Sequence, residues 1–227
     1  MIPLKDDNPI LSRPIVTYFL IGLCVVVFLM QLGSQSYRTG QLFYSYGLIP
    51  SVLMGHDQLP MDLYAIPAYM TIFSSMFMHG GWIHLIGNMW YMKIFADNIE
   101  DNLGARNFII FYILCGIGAA MAQVLMNTHS QVPMVGASGA IGGVLGAYLI
   151  NHPNARVLVL IPYIIITIIK IRALYVLGFW FILQFISSGG GIAYAAHIGG
   201  FVSGMILILF FNKKTKRKTK VIKGPWS

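Results

Sequence analysis

Residues 135–151 read VGASGAIGGVLGAYLIN, and the placement of this stretch decides the fold. From Ser138 to Asn151 there is no charged side chain, so the run reads as a helix in apolar surroundings. At about 1.5 Å per residue it reaches only about 20 Å, against a hydrocarbon layer ~30 Å thick. If its C-terminal end sits at the cytoplasmic interface, its N-terminus, with Ser138, stops within the membrane's thickness. Gly139, Gly142, Gly143, Gly146 and Ala147 keep the helix thin on several sides, as expected of a central helix enclosed by others. Each glycine gives up as much as ~1 kcal/mol of helix propensity relative to alanine, which close packing has to offset.

The rest of the chain supplies the enclosure. Of 227 residues, 57% are hydrophobic and 10% charged, the composition of a polytopic membrane protein. Six spanning segments are expected, at 14–32, 81–96, 107–126, 138–151, 172–188 and 193–212. The first has no small-residue cleavage pattern after it and is kept as a retained helix. An even number of spans puts both termini on one side. Lys5, Arg13, Lys93, Arg106, Arg156, Lys170, Arg172 and the basic tail then face the cytoplasm, leaving Arg38 outside. The expected organisation is a short cytoplasmic N-terminus at 1–13, a six-helix domain at 14–212 with an outer loop at 33–77, and a basic cytoplasmic tail at 213–227. The net charge of +8 comes largely from that tail, which reads as an anchor beside anionic lipid, not as a nucleic-acid site.

Three further features are placed by the same logic. The apolar run 157–169 contains Pro162, has basic residues on both flanks and is short for a span. It is expected to be an interfacial or re-entrant piece on the cytoplasmic side. Cys24 and Cys115 lie inside apolar runs and read as small core hydrophobes. The acidic cluster Asp97 to Asp101 reads as a solvated turn. The fold class that results is an all-α membrane protein, a six-helix bundle with a short central fourth helix.

Polar residues at membrane depth are costly and mark function by default. His79, His84 and Asn88 open the second segment in HGGWIHLIGN, Ser138 opens the fourth in GASGAIGG, and His197 lies about one turn into the sixth in AAHIGGFVSG. Ser138 follows Gly136 and Ala137 and precedes Gly139, which sets its hydroxyl at a helix N-terminus beside free backbone N–H groups suited to an oxyanion. Alone, this string reads more readily as a small-residue packing face, which is very common in membranes. Gly200 and Gly204 after His197 form a small-xxx-small face through which the sixth helix can approach the fourth, bringing imidazole to hydroxyl. A serine needs a base to become a nucleophile, so the two side chains are the minimum apparatus for acyl transfer. His84 and Asn88, four positions apart, share a helix face from which both can donate to an oxyanion. His79 lies ahead of that helix, where it can fix the outer loop. A zinc site lacks both the i, i+4 histidine pair and a nearby carboxylate. With no carboxylate at the depth of His197, a dyad is expected rather than a triad.

These residues resemble the rhomboid intramembrane proteases over nearly the whole chain, in three ordered signatures. His79, His84 and Asn88 match His-x4-His-x3-Asn. Gly136, Ala137, Ser138 and Gly139 match Gly-x-Ser-Gly, and Ala196, His197, Gly200 and Gly204 match Ala-His-x2-Gly-x3-Gly. The resemblance implies a six-helix core and a Ser138–His197 dyad, with the oxyanion held by His84, Asn88 and the Ser138 amide. It implies a membrane-embedded outer loop and substrates that are transmembrane protein segments cut near or within their outer ends. It further implies a multi-pass protein of the cell membrane that works in the lipid bilayer without metal, nucleotide or other cofactor. The sequence departs from the family where Met70 and Thr71 replace a Trp-Arg pair and where Gly142 replaces an aromatic residue. The first bears on how the outer loop is anchored, the second on what stacks against His197, for which Tyr194 or Tyr148 are the candidates. A rhomboid-like protein that binds transmembrane clients without cutting them would have lost the serine or the histidine. A transporter would show inverted repeats or paired midplane charges.

Overall fold

The computed structural model describes residues 1–34, 36–162, 166–186 and 193–211; the basic tail 213–227 lies outside them. Strand β1 (Ile2–Asp6) precedes helix α1 (Ile15–Gly33). The outer loop is itself folded, into α2 (Ser36–Tyr46), α3 (Pro50–Leu53) and α4 (Thr71–Ser74), with a 3₁₀ turn on either side of α4. There follow α5 (Trp82–Leu103), α6 (Ala105–Met126), α7 (Ser138–Asn151), strands β2 (Arg156–Pro162) and β3 (Ile166–Arg172), α8 (Ala173–Ile186) and α9 (Tyr194–Phe211).

The chain is mostly helical, and among the described residues three helices, α1, α6 and α9, are long and apolar enough to cross a membrane. Their outer faces carry large exposed side chains such as Phe19, Met30, Leu125, Ile206 and Phe210. A belt of that kind suits contact with lipid, since a soluble monomer rarely exposes so much apolar surface. Helix α7 stands inside: every residue from Gly139 to Tyr148 is buried. It packs chiefly on α9, then on α6 and α5.

The all-α expectation is corrected by a small antiparallel sheet of order β1-β2-β3. The run 157–169 forms most of a hairpin, in which Arg156 pairs with Arg172 and Pro162 with Ile166; residues 163–165 lie outside the described ones. Its burial alternates, Val157 and Val159 fully inside and Arg156 out, which is the strand period of two. The N-terminal segment is the third strand, Ile2 opposite Leu160 and Asp6 opposite Val157. Its Asp6 carboxylate accepts from the Tyr148 hydroxyl at 2.5 Å and from Asn98 Nδ2 at 2.9 Å, tying the sheet to α7 and α5. Tyr148 is thereby committed far from His197.

The acidic cluster is not a solvated turn. Glu100 and Asp101 are 2% and 7% exposed. Helix α1 has Pro14 at its N-cap and no side-chain cap of its own, which leaves its first N–H groups orphaned. Glu100 takes them: Val16 N and Thr17 N donate to its two oxygens at 2.9 and 2.7 Å, and the Thr17 hydroxyl at 2.8 Å. Asp101 accepts from Leu11 N and Ser12 N in the same way. Glu100→Ala is therefore expected to lower stability by about 1–3 kcal/mol, read as an earlier midpoint in detergent-mixture unfolding, because buried donors lose a charged acceptor.

The outer loop is stitched to the segment that carries Ser138. Leu48 and Met134 exchange backbone hydrogen bonds at 3.0 and 2.8 Å, Ser51 N donates to Ser130 O at 3.0 Å, and Gly136 N donates to Ser75 O at 2.9 Å. Leu48, Ala120 and Val124 form a second apolar cluster beneath it. Thr71 donates to Ala68 O at 2.6 Å, and Ser74 to Tyr46 O at 2.6 Å. Backbone pairing and short polar side chains thus hold the loop where Met70 and Thr71 stand.

Candidate active site

Ser138 is the first residue of α7, and the turn before it is set by Gly136. Gly136 has φ +128°, a conformation side chains rarely adopt, and a Cβ there would lie 2.7 Å from His84 Nε2. Glycine is required twice over, by the backbone and by the imidazole seated against it. The turn brings the Ser138 hydroxyl to 2.8 Å from His197 Nε2, although 59 positions separate the two residues.

His197 is held at that distance by close backbone packing of α9 on α7. A Cβ on Gly200 would lie 1.9 Å from the Gly139 carbonyl oxygen, and one on Gly204 1.9 Å from that of Gly143. Only backbone fits on either side. Gly139 is also crowded by Ala119 of α6, whose methyl would stand 2.6 Å from a Cβ placed there. At Gly142 the α9 backbone comes close, the His197 carbonyl oxygen standing 3.0 Å from the place of a Cβ, so a side chain there would press α9 outward by a few tenths of an ångström. The ring beside His197 comes from elsewhere: Trp180 of α8 at 5.8 Å and Tyr194 edge-on at 6.3 Å. Of the two candidates read from sequence, Tyr194 is adjacent to His197 and Tyr148 is not. Gln123 of α6 accepts from Ala196 N at 3.2 Å and steadies the start of α9.

The second segment contributes three side chains. His84 Nδ1 accepts from Gly80 N at 3.4 Å, which leaves Nε2 to carry the proton and face the Gly136 turn. Asn88, one turn on, is buried, and its Nδ2 has no partner among the described residues. Asn88 lines the same cavity as Ser138, so its Nδ2 is placed to donate to an acceptor that enters that cavity. His79 is fully buried, edge-on to His84 at 5.2 Å, with Nδ1 3.2 Å from Phe77 O. Gln31 of α1 clamps its backbone, accepting from His79 N and donating to His79 O, each at 3.1 Å.

Ser138, His197, His84, Asn88 and Gly136 all line one cavity of about 790 Å³. It has the size of a ligand pocket. The sequence reading passes over one polar neighbour, Gln184 of α8, whose Oε1 lies 2.8 Å from His197 Nδ1. The signal was present, since a carboxamide within an apolar segment is flagged by the same rule that flags the histidines.

The fold and site together define a helical integral membrane protein with a serine and a histidine in hydrogen-bond contact at a buried helix N-terminus. The family model described as Rhomboid domain matches residues 67–214, more than half of the sequence, and the chain belongs to the rhomboid family. It is 28% identical over 196 residues to the rhomboid protease GluP of Bacillus subtilis (strain 168), covering 85% of this chain and 34% of that protein. It is 31% identical over 147 residues to the putative rhomboid protease YdcA of the same organism, covering 62% and 66%. With RHOMBOID-like protein 6, mitochondrial, of Arabidopsis thaliana it shares 31% over 139 residues, 60% of this chain and 41% of the relative. The chain thus spans less than half the length of two of these three relatives.

Proposed function

We propose that the chain is an intramembrane serine endopeptidase that hydrolyses peptide bonds in or near the transmembrane segments of other membrane proteins. The observation that carries this reading is the 2.8 Å contact between Ser138 Oγ and His197 Nε2 inside a cavity that His84 and Asn88 also line. His197 takes the hydroxyl proton as Ser138 attacks the scissile carbonyl, then passes it to the leaving amine. Asn88 Nδ2, His84 Nε2 and the Ser138 amide at the α7 N-terminus donate to the oxyanion. Water then resolves the acyl-enzyme by the same proton route. A substrate helix hides its carbonyls in its own hydrogen bonds, so a bond becomes attackable only where that helix unwinds.

In this reading α1, α5, α6, α7, α8 and α9 are the six membrane crossings, both termini and the sheet face the cytoplasm, and the site opens toward the outer leaflet of the cell membrane. His79 braces His84, and the Gly136, Gly139, Gly200 and Gly204 contacts set the distance between nucleophile and base.

The test is cleavage of a single-span substrate by the purified full chain in liposomes, with and without a chelator. Cleavage that survives the chelator is expected. Asn88→Ala is expected to lower kcat by about 10²- to 10³-fold with little change in KM, the effect of removing one oxyanion donor. Binding without cleavage across several unrelated transmembrane segments would instead assign a client-binding role.

A further inference from the structure

Helix α8 contains one carboxamide, Gln184, and no charged side chain. A carboxamide at this depth is unfavourable unless both its ends are paired, and here both are. Its Nε2 donates to the carbonyl oxygen of Trp180, one turn earlier, at 2.8 Å, and its Oε1 lies 2.8 Å from His197 Nδ1. The first bond settles the second. Exchanging the amide oxygen and nitrogen would set two carbonyl oxygens face to face at Trp180 with no proton between them. Oε1 therefore accepts, and His197 Nδ1 carries the proton. A neutral imidazole has a single N–H, so Nε2 is left with its lone pair directed at the Ser138 hydroxyl 2.8 Å away.

We infer that Gln184 is a positioning residue that selects the Nδ1–H tautomer of His197 and so makes Nε2 the base facing Ser138. The inference rests on the assignment of Ser138 and His197 as nucleophile and base. The neighbouring rings of Trp180 and Tyr194 limit the tilt of the imidazole but bring no acceptor to Nδ1. Residues 172–211 contain no Asp or Glu. Gln184 thus does the orienting work that a carboxylate does in a Ser-His-Asp triad, but through a dipole in place of a charge. It steadies the imidazolium formed during attack less than a carboxylate would, and its removal has a correspondingly smaller effect than loss of a triad aspartate.

The experiment uses the full chain in lipid nanodiscs with ¹⁵N-labelled histidine, the His197 signals being identified by their absence from His197→Ala. In the wild type, Nδ1 is expected to appear protonated and Nε2 unprotonated. Gln184→Met keeps the side-chain length and removes the acceptor. It is expected to shift His197 toward the Nε2–H form and to lower kcat for a transmembrane substrate about ten- to hundredfold, with KM changed less than about twofold. Gln184→Glu, which keeps an oxygen at the same reach, is expected to restore the Nδ1–H form and most of the rate. A wild-type His197 protonated on Nε2 would overturn the inference, as would Gln184→Met with unchanged tautomer and unchanged kcat. The tautomer is read on the protein without turnover. Absence of wild-type cleavage would therefore overturn the protease reading alone, and the ¹⁵N signals would still decide the role of Gln184.

Discussion

Ser138→Ala and His197→Ala are each expected to abolish turnover of a transmembrane substrate, by a factor on the order of 10⁴ or more, and the double variant is expected to be no slower than either single one. The physical reason is that the two side chains act as one group. Without His197 the Ser138 hydroxyl keeps its proton and is a poor nucleophile. Without Ser138 the imidazole has nothing to activate but water. Neither variant should disturb folding, because Ser138 sits at a helix start where alanine fits and the α7–α9 contact is made by glycines. Substrate binding is expected to persist in both, so pull-down of an uncleaved substrate by Ser138→Ala separates loss of chemistry from loss of the site.

The second large effect belongs to the helix contact. Gly200→Ala places a Cβ 1.9 Å from the Gly139 carbonyl oxygen, a backbone atom that no side-chain rotation can move aside. Helix α9 must withdraw from α7, at about 1–3 kcal/mol or more of stability. The withdrawal carries His197 with it, and about 1 Å of misplacement is enough for a roughly 10²-fold loss of rate. Gly178→Ala in α8 is the matched control, since a Cβ there meets nothing within 4 Å. It is expected to be neutral or to stabilise by up to ~1 kcal/mol through helix propensity. Unfolding midpoints and cleavage rates measured side by side check both.

Much of the architecture is legible as hydropathy, because a helix in lipid has to satisfy its backbone internally and advertises its length as an apolar run. Helices α1, α6, α7 and α9 coincide closely with the runs 14–32, 107–126, 138–151 and 193–212. Helix α5 continues past 96 to Leu103 because Glu100 and Asp101, which look like the end of a span, are buried as acceptors for the start of α1. That use of acidic residues depends on a partner more than 80 positions away and leaves no local mark. The sheet is hidden in part for the same reason: β2 is a short apolar run of ambiguous period, and besides the neighbouring β3 its partner is β1, near the N-terminus.

At the site, the pairing of Ser138 with His197 is suggested by glycines at helical spacing, since small residues have a backbone-level purpose in membrane helices. What surrounds the imidazole is less visible. Trp180 and Gln184 occupy an apolar helix whose facing direction follows from three-dimensional packing. The close approach of the α9 backbone to Gly142, and the presence of Trp180 beside His197, appear only in the folded chain.

The claim that Ser138 is a nucleophile activated by His197 is tested most directly by covalent capture. The reconstituted wild type would be treated with a fluorophosphonate probe and the adduct mapped by peptide mass spectrometry. The account predicts a single adduct on Ser138, with a labelling rate at least ~10³-fold lower in His197→Ala. A wild type that cleaves substrate while remaining unlabelled, or that is labelled at another serine, would contradict it.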